Sequence, residues 1–138
     1  MTPDGGTTAD VARSELGKRL RAESGLLASL VRDDPGTDVA FDVPARFAVA
    51  VAAIREGYLL HYGTSLLLAV DGDEDAALLA GDHLYALGLV ELAEIGDLAA
   101  VRSMADLIDR CAVAHAAGDT GAARRAWEIG TLALGADR

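Results

Sequence analysis

The sequence predicts an all-α fold, an antiparallel bundle of five to six helices. Ala and Leu dominate a composition that is 51% hydrophobic and only 4% aromatic. These two residues favour helices, whereas the β-branched and aromatic residues that favour strands are less frequent. Apolar residues recur at helical spacing between short turns that contain Gly and Asp, and short turns make successive helices antiparallel.

The length of the chain, 138 residues, fits one domain with one hydrophobic core. We expect residues 1–8 to be a disordered N-terminus and residues 9–138 to form a single helical domain. The apolar fraction is high for a soluble domain. We therefore also expect another chain to cover part of the apolar surface.

The charge and the cysteine content exclude several classes of protein. The formal net charge is −10 with a single Lys and no basic run, so we expect no nucleic-acid partner. The one cysteine, Cys111, fits a reducing compartment, and the N-terminus lacks the pattern of a secretory signal. Charged residues at 55–56 and 71–75 interrupt the longest apolar stretches. We therefore expect no transmembrane segment and a cytoplasmic location.

The first helix is predicted from near Thr8 to near Asp33, with a bend at Ser24 and Gly25. Its apolar positions recur at helical spacing and are Leu16, Leu20, Leu27 and Leu30. A loop rich in Pro, Gly and Asp follows the helix. We therefore expect the second helix to begin after this loop.

The second helix is predicted to start with Asp42 as its cap and Pro44 in its first turn. Its apolar stripe consists of Phe47, Val51, Ile54, Tyr58 and His61. Residues 63–65 interrupt the helix, and a short apolar piece, residues 66–70, follows.

The third segment, residues 78–96 (LLAGDHLYALGLVELAEIG), carries few polar side chains. A helix that is apolar on nearly all sides is typical of a protein core, so we expect a nearly fully buried central helix. The acidic turn from Asp71 to Asp75 precedes it. Gly81 and Gly88 are expected to let neighbouring helices approach closely.

Two turns, Gly96 with Asp97 and Gly118 with Asp119, each predict a left-handed helix end followed by the N-cap of the next helix. The predicted inner face between them consists of Leu98, Val101, Ala105, Ile108 and Ala112. The opposite face carries a solvated ladder of charges, Arg102, Asp106 and Arg110. The last helix is predicted over residues 120–134, with Trp127 on its core side.

Residues 77–108 (ALLAGDHLYALGLVELAEIGDLAAVRSMADLI) resemble the trans-prenyl diphosphate synthase family, in the region just after its first aspartate-rich motif. The shared features are a Gly-Asp pair in an apolar helix, a later Gly, and a following helix rich in Val, Leu and Ala. The resemblance implies that the bundle corresponds to part of the isoprenoid-synthase core.

The metal-binding motif of that family is absent from the matching stretch, residues 59–68 (LLHYGTSLLL). His61 stands where the family has its His, and Tyr62, Gly63 and Leu66 stand where it has three Asp residues. In the family those carboxylates hold Mg²⁺ beside the diphosphate leaving group. A second aspartate-rich motif is not found either.

The resemblance is therefore closest to the non-catalytic small subunit of heterodimeric prenyl synthases such as heptaprenyl diphosphate synthase. It implies an accessory subunit that is no enzyme by itself and uses no cofactor or metal. Its partner would be an Asp-rich catalytic subunit whose product length it helps to set, with an isoprenoid chain as a further partner. Whether the complex as a whole is catalytic through this chain stays open.

Six residues are candidates for lining a pocket or tunnel: Tyr58, His61, Tyr62, Asp82, Tyr85 and Leu89. A carboxylate within a buried helix is costly unless it is paired. We expect a residue of the second helix, His61, Tyr58 or Arg55, to satisfy Asp82. The alternative is that Asp82, with a raised pKa, contacts a ligand in a pocket.

Other interpretations stay open. One interpretation is that the chain forms a homo-oligomer. Another is that it is a stand-alone helical protein that binds a hydrophobic ligand or a partner helix. A less favoured alternative is a metal-dependent enzyme that uses the carboxylates from Asp71 to Asp75. Cys111 and His115 share a helix face, but too few further ligands exist for tetrahedral zinc, so Cys111 is expected to be a small core residue.

Overall fold

The computed structural model describes residues 7–23, 25–70 and 72–136. Over these ranges the protein is all-helical, which confirms the predicted fold class. The helices are α1 (Thr8–Glu23), α2 (Leu26–Leu30), a 3₁₀ turn (Ala45–Phe47), α3 (Ala48–Tyr62), α4 (Glu74–Ile95), α5 (Leu98–Ala116) and α6 (Thr120–Ala136). The N-terminus that was expected to be disordered comprises residues 1–8; residues 1–6 lie outside the described residues, and α1 begins at Thr8.

The helix-start and helix-end signals predicted at the two Gly-Asp turns are confirmed. The cap of α1 was not predicted: Thr7 and Asp10 cap it reciprocally, because each side chain accepts a hydrogen bond from the backbone N–H of the other, at 3.1 and 3.2 Å. Gly96 has φ +88° and Gly118 has φ +70°, the left-handed conformation that ends a helix. Asp97 then caps α5 by accepting the N–H of Ala100 at 2.9 Å.

The first predicted helix is divided in two. α1 ends at Glu23 and α2 begins at Leu26, and Gly25 between them has φ +93°. Ser24, where the bend was also expected, lies outside the described residues. After α2 the chain pairs with the piece of residues 66–70, which is extended: Val31 and Leu68 form an antiparallel bridge.

The start of α3 differs from the prediction. Pro44, rather than Asp42, occupies the position before the 3₁₀ turn, and it offers no side-chain cap. The reason is that a 3₁₀ turn is inserted before the α-helix, which moves the helix start beyond the reach of Asp42. The predicted apolar stripe is confirmed at Phe47, Val51 and Ile54, which are all buried.

The central helix of the bundle is α3, and the expectation that α4 is nearly fully buried is wrong. α1, α4 and α5 all pack against α3. α4 buries only one face, made of Ala80, Gly81, Leu84, Gly88 and Leu92. On its other side Leu79 and Val90 are 72% and 55% exposed. The apolar composition of α4 predicts burial but does not indicate what covers each face, and this chain covers only the face against α3.

Glycines bring α3 and α4 into backbone contact, as expected for Gly81 and Gly88. A Cβ atom added at Gly88 would lie 2.6 Å from Cγ1 of Ile54 and 2.8 Å from the carbonyl oxygen of Ala50. A Cβ atom added at Gly57 would lie 2.9 Å from the carbonyl oxygen of Gly81. Only glycine allows so short a distance between the two helices at these positions.

The predicted inner face of α5 is wrong by one residue, which is about 100° around a helix. The buried positions are Ala100, Met104, Leu107, Cys111 and Ala114. Leu98 is 70% exposed, and Ala105 and Ala112 are exposed as well. The helix is rich in Ala, so neighbouring stripes differ little in hydrophobicity, and contacts with α3 and α6 decide which stripe is buried. On α6, Trp127 is buried as predicted.

Candidate functional site

Five of the six predicted site residues come together where the C-terminal half of α3 meets α4. The ring of His61 stacks on Tyr85, with centroids 5.1 Å apart and an angle of 13° between the planes. Tyr58 and Tyr62, one turn apart on α3, lie 5.3 Å apart in a tilted arrangement. Leu89 lies one turn farther along α4 and packs instead against the hydrophobic core of α3, α5 and α6.

His61 satisfies Asp82, as expected. The Nε2 atom of His61 lies 3.0 Å from Oδ1 of Asp82. Asp82 itself is not buried, since its side chain is 72% exposed, whereas that of His61 is 16% exposed. The pair therefore holds the imidazole ring in one orientation but adds little to stability, as is usual for exposed ion pairs. When Nε2 carries the proton, Nδ1 remains as a hydrogen-bond acceptor.

His115 of α5 completes this aromatic cluster, which we define as Tyr58, His61, Tyr62, Tyr85 and His115. Its ring lies flat on that of Tyr62, 4.1 Å between centroids with 3° between the planes. Its Nε2 atom lies 2.8 Å from the hydroxyl of Tyr58. The sequence showed no link between His115 and these tyrosines, because the three residues come together only through the packing of α5 against α3.

Burial keeps the tyrosine hydroxyls and the cysteine thiol of this region protonated. Loss of hydration raises the pKa of Tyr85 strongly and also raises the pKa of Tyr58 and of Tyr62. The same cause raises the pKa of Cys111 to about 11. Cys111 is also fully buried, so its thiol is a poor nucleophile and acts as the small core residue that was expected.

A cleft of about 580 Å³ opens beside the aromatic cluster, at the C-terminal end of α3. Its lining includes Leu60, His61, Thr64, Asp73 and Glu74. Of the six predicted residues, His61 is the one that lines this cleft. Asp73 is occupied as the cap of α4, because its Oδ1 accepts the N–H of Ala76 at 3.0 Å.

The carboxylates from Asp71 to Asp75 were considered as a metal site. Asp71 lies outside the described residues, so the turn is not described as a whole. Within residues 7–23, 25–70 and 72–136, no three His, Cys, Asp or Glu side chains are grouped so that they could hold a metal ion.

The positions matched to the family's three aspartates are spread over different elements. Tyr62 is the last residue of α3, Gly63 is its C-cap, and Leu66 lies in the segment that follows the helix. Metal-binding carboxylates of one motif need to converge from a single helix face. The local backbone here does not place these three positions on one face.

A buried ion pair between Arg13 and Glu56 was not foreseen from the sequence. The Nε atom of Arg13 lies 3.5 Å from Oε2 of Glu56, and both side chains are almost fully buried. The Nη1 atom of Arg13 also donates to the backbone oxygen of Gly36 and to Asp10, both at 3.0 Å. The pair links α1 to the middle of α3, so its role is in the architecture of the bundle.

Several exposed apolar side chains lie on α4, among them Leu78, Leu79 and Val90. An open groove of about 360 Å³ runs between α4 and the region of α1 and α2. Leucines line most of it: Leu20, Leu26, Leu27, Leu30 and Leu79. Among the described residues α4 is also the one helix that is long and apolar enough to cross a membrane, a property that core helices share. The absence of a transmembrane segment therefore stays a prediction.

Comparison with known proteins adds no relative to this description. No family model matches the chain, and no curated protein or solved structure matches it either.

Proposed function

We propose that this chain is a non-catalytic accessory subunit of a polyprenyl diphosphate synthase, which pairs with an Asp-rich catalytic subunit and helps to set the product length. The observation that carries the proposal is the uncovered apolar face of α4. This helix contains most of the sequence that resembles the prenyl synthase family, and Leu79 and Val90 project from it with 72% and 55% exposure. A catalytic subunit packed on this face would remove that apolar area from water.

The arrangement at the end of α3 supports the same role. His61 binds Asp82 rather than standing beside a row of carboxylates. Tyr62, at the first position matched to an aspartate, stacks on His115. The rings of Tyr58, Tyr62 and Tyr85 can form part of an uncharged wall, because burial raises the pKa of all three hydroxyls, and the exposed carboxylate of Asp82 lies beside them.

The direct test is co-expression with a prenyl synthase of the same genome that has intact aspartate-rich motifs. We expect the two chains to elute together on size exclusion, and the product length to differ from that of the catalytic chain alone. The matched control is the catalytic chain co-expressed with an unrelated helical protein of similar size. If no complex forms and neither rate nor product length changes, the proposal is wrong.

A second candidate is a stand-alone protein that binds a hydrophobic ligand. The leucine-lined groove between α2 and α4 favours it, because ligand sites are concave and mostly apolar, with volumes of about 300–1,000 Å³. A fluorescent farnesol analogue would report such binding. This candidate would be favoured over the accessory subunit if the isolated chain bound the analogue saturably. The binding should be lost in Leu27→Glu and retained in Val113→Glu.

A further inference from the structure

We infer that the outward face of α4, together with the adjoining groove, is a docking surface for a basic amphipathic helix of another protein. We call this the α4 docking surface and define it by Leu26, Leu79, Ala86, Val90 and Ala93. The existence of a natural partner rests on the proposed function, whereas the chemistry of the surface can be tested without that partner.

The shape of the surface fits a helix. Leu79, Ala86, Val90 and Ala93 follow one another at intervals of seven, four and three residues, so they share one face of α4. The exposed Asp82 and His83 lie at the two edges of this stripe, in the turn between Leu79 and Ala86, and His83 also lines the groove. All four are exposed. The two alanines keep the middle and the end of this stripe low, which allows another helix to approach closely.

The groove adds depth at the N-terminal end of the stripe. Leu26 and Leu79 stand on its two sides with 73% and 72% exposure. Between them the groove holds about 360 Å³ of open space. An apolar side chain of a helix lying on the stripe can enter this space, as in other complexes in which a helix lies in a hydrophobic groove.

The charge around the surface selects a basic partner. Between Glu56 and Val101 the chain contains no Lys or Arg, and Arg19 of α1, which does reach α4, is already paired with Glu91 at 3.1 Å. Glu23, Asp75 and Glu94 are exposed beside the surface, and within the described residues none of them is in an ion pair. Lys and Arg residues that flank the apolar stripe of an incoming helix would therefore meet carboxylates that have no other cation.

The same charges disfavour the other candidates for this surface. A second copy of the chain would bring an equally acidic α4 against this one, and like charges that face each other across an interface repel. An anionic membrane would be repelled in the same way. An uncharged isoprenoid chain could fill the groove, but it would gain no attraction from the carboxylates of Asp75 and Glu94.

A designed peptide tests the chemistry directly. The probe is a labelled amphipathic helix of about 20 residues, near the length of α4, with a Leu stripe flanked by Lys. A matched peptide carries Glu in place of every Lys. Fluorescence anisotropy with the full chain should show saturable binding of the Lys peptide that weakens as salt is added, and at least tenfold weaker binding of the Glu peptide.

Matched variants locate the binding. Leu79→Ser should weaken the binding of the Lys peptide about tenfold, because one large apolar contact is lost. Leu132→Ser on α6 should leave it unchanged, although Leu132 is exposed to the same extent as Leu79, 72%. Glu94→Lys should weaken the binding of the Lys peptide and strengthen the binding of the Glu peptide. Circular dichroism of each variant verifies that the helices are intact.

Several outcomes would overturn the inference: no saturable binding, equal binding of both peptides, or equal losses for Leu79→Ser and Leu132→Ser. Dimerisation of the chain that Leu79→Ser abolishes would assign the surface to a second copy, and displacement of the peptide by farnesol would assign the groove to a lipid. If a catalytic subunit binds wild type and Leu79→Ser equally well, the accessory role stands and this surface is wrong. If no catalytic subunit binds but the peptides behave as expected, the α4 docking surface stands and the accessory role is wrong.

Discussion

The hydroxyl of Ser65 donates a 2.7 Å hydrogen bond to the carboxylate of Glu56, and both residues are buried. The same carboxylate oxygen accepts the backbone N–H groups of Leu66 and Leu67, at 3.1 and 3.0 Å. The other oxygen faces Arg13 of α1. One side chain in the middle of α3 thus fixes both the first helix and the extended segment that follows α3.

We expect Glu56→Ala to lower the free energy of unfolding by about 3–5 kcal/mol, because the buried donors of Ser65 and Leu67 would lose their acceptor and Arg13 would keep only Asp10 as a counter-charge. Urea denaturation measures this change. The control is Glu15→Ala on α1, whose exposed side chain lies 3.9 Å from Arg19, and it should cost less than about 0.5 kcal/mol. Similar losses for both variants would show that the buried pair has no special role.

We expect Gly88→Ala to destabilise the protein by about 1–3 kcal/mol, although alanine favours helices. The added methyl group would meet the backbone of α3 at Ala50, so one helix would have to move. Gly121→Ala in α6 is the matched control. Its nearest neighbours lie 3.4 Å away at side-chain ends, and we expect it to be neutral or to stabilise by up to about 1 kcal/mol. Thermal unfolding of both variants distinguishes steric conflict from helix propensity.

The sequence was sufficient to predict the fold class and most element ends, because capping residues such as Asp97 and left-handed glycines such as Gly96 act locally. It was insufficient for the burial of α4. The hydrophobicity of Leu79 and Val90 indicates that burying them is favourable, but it does not indicate whether this chain or another molecule covers them. The face of α5 was wrong for a related reason, since alanines give every stripe of that helix a similar hydrophobicity.

We expect Tyr58→Phe to cost about 0.5–1.5 kcal/mol, because it removes the hydrogen bond between the Tyr58 hydroxyl and His115 but keeps the ring. Tyr85→Phe is the matched control, since within the described residues the Tyr85 hydroxyl makes no hydrogen bond. Denaturant unfolding of the two variants gives the comparison. Equal effects would mean that the Tyr58 hydroxyl contributes nothing beyond its ring.

We expect stability to fall as the pH rises from 9.0 towards 11. Burial raises the pKa of Cys111 from 9.0 to about 11, so in this range the thiol stays protonated in the folded protein and ionises in the unfolded one. The unfolded state then binds fewer protons, and the free energy of unfolding decreases with pH. In Cys111→Ala, urea titrations should show a smaller decrease over this range. An identical pH dependence in both proteins would contradict the assignment.

The candidate site was predictable in part. Tyr58, His61 and Tyr62 could be grouped from their helical spacing on α3. His61 was one of three partners predicted for Asp82, but the reason for that prediction was wrong, because the Asp82 side chain is 72% exposed and not buried. His115 could not be added, since nothing local to its helix indicates that its ring would lie on Tyr62. Glu56 was missed because its partners, Arg13 and Ser65, come from distant segments and carry no pattern of their own.

The backbone contact between α3 and α4 at Gly57, Gly81 and Gly88 has a consequence for the order in which the protein opens. Helices in such close contact exclude water from the seam between them, so their amides should exchange with solvent most slowly. None of the residues of the five-residue α2 is buried, so this short helix should open first. The leucine groove therefore lies on the boundary between the most stable and the least stable parts of the bundle, with one wall rigid and the other free to adjust its width.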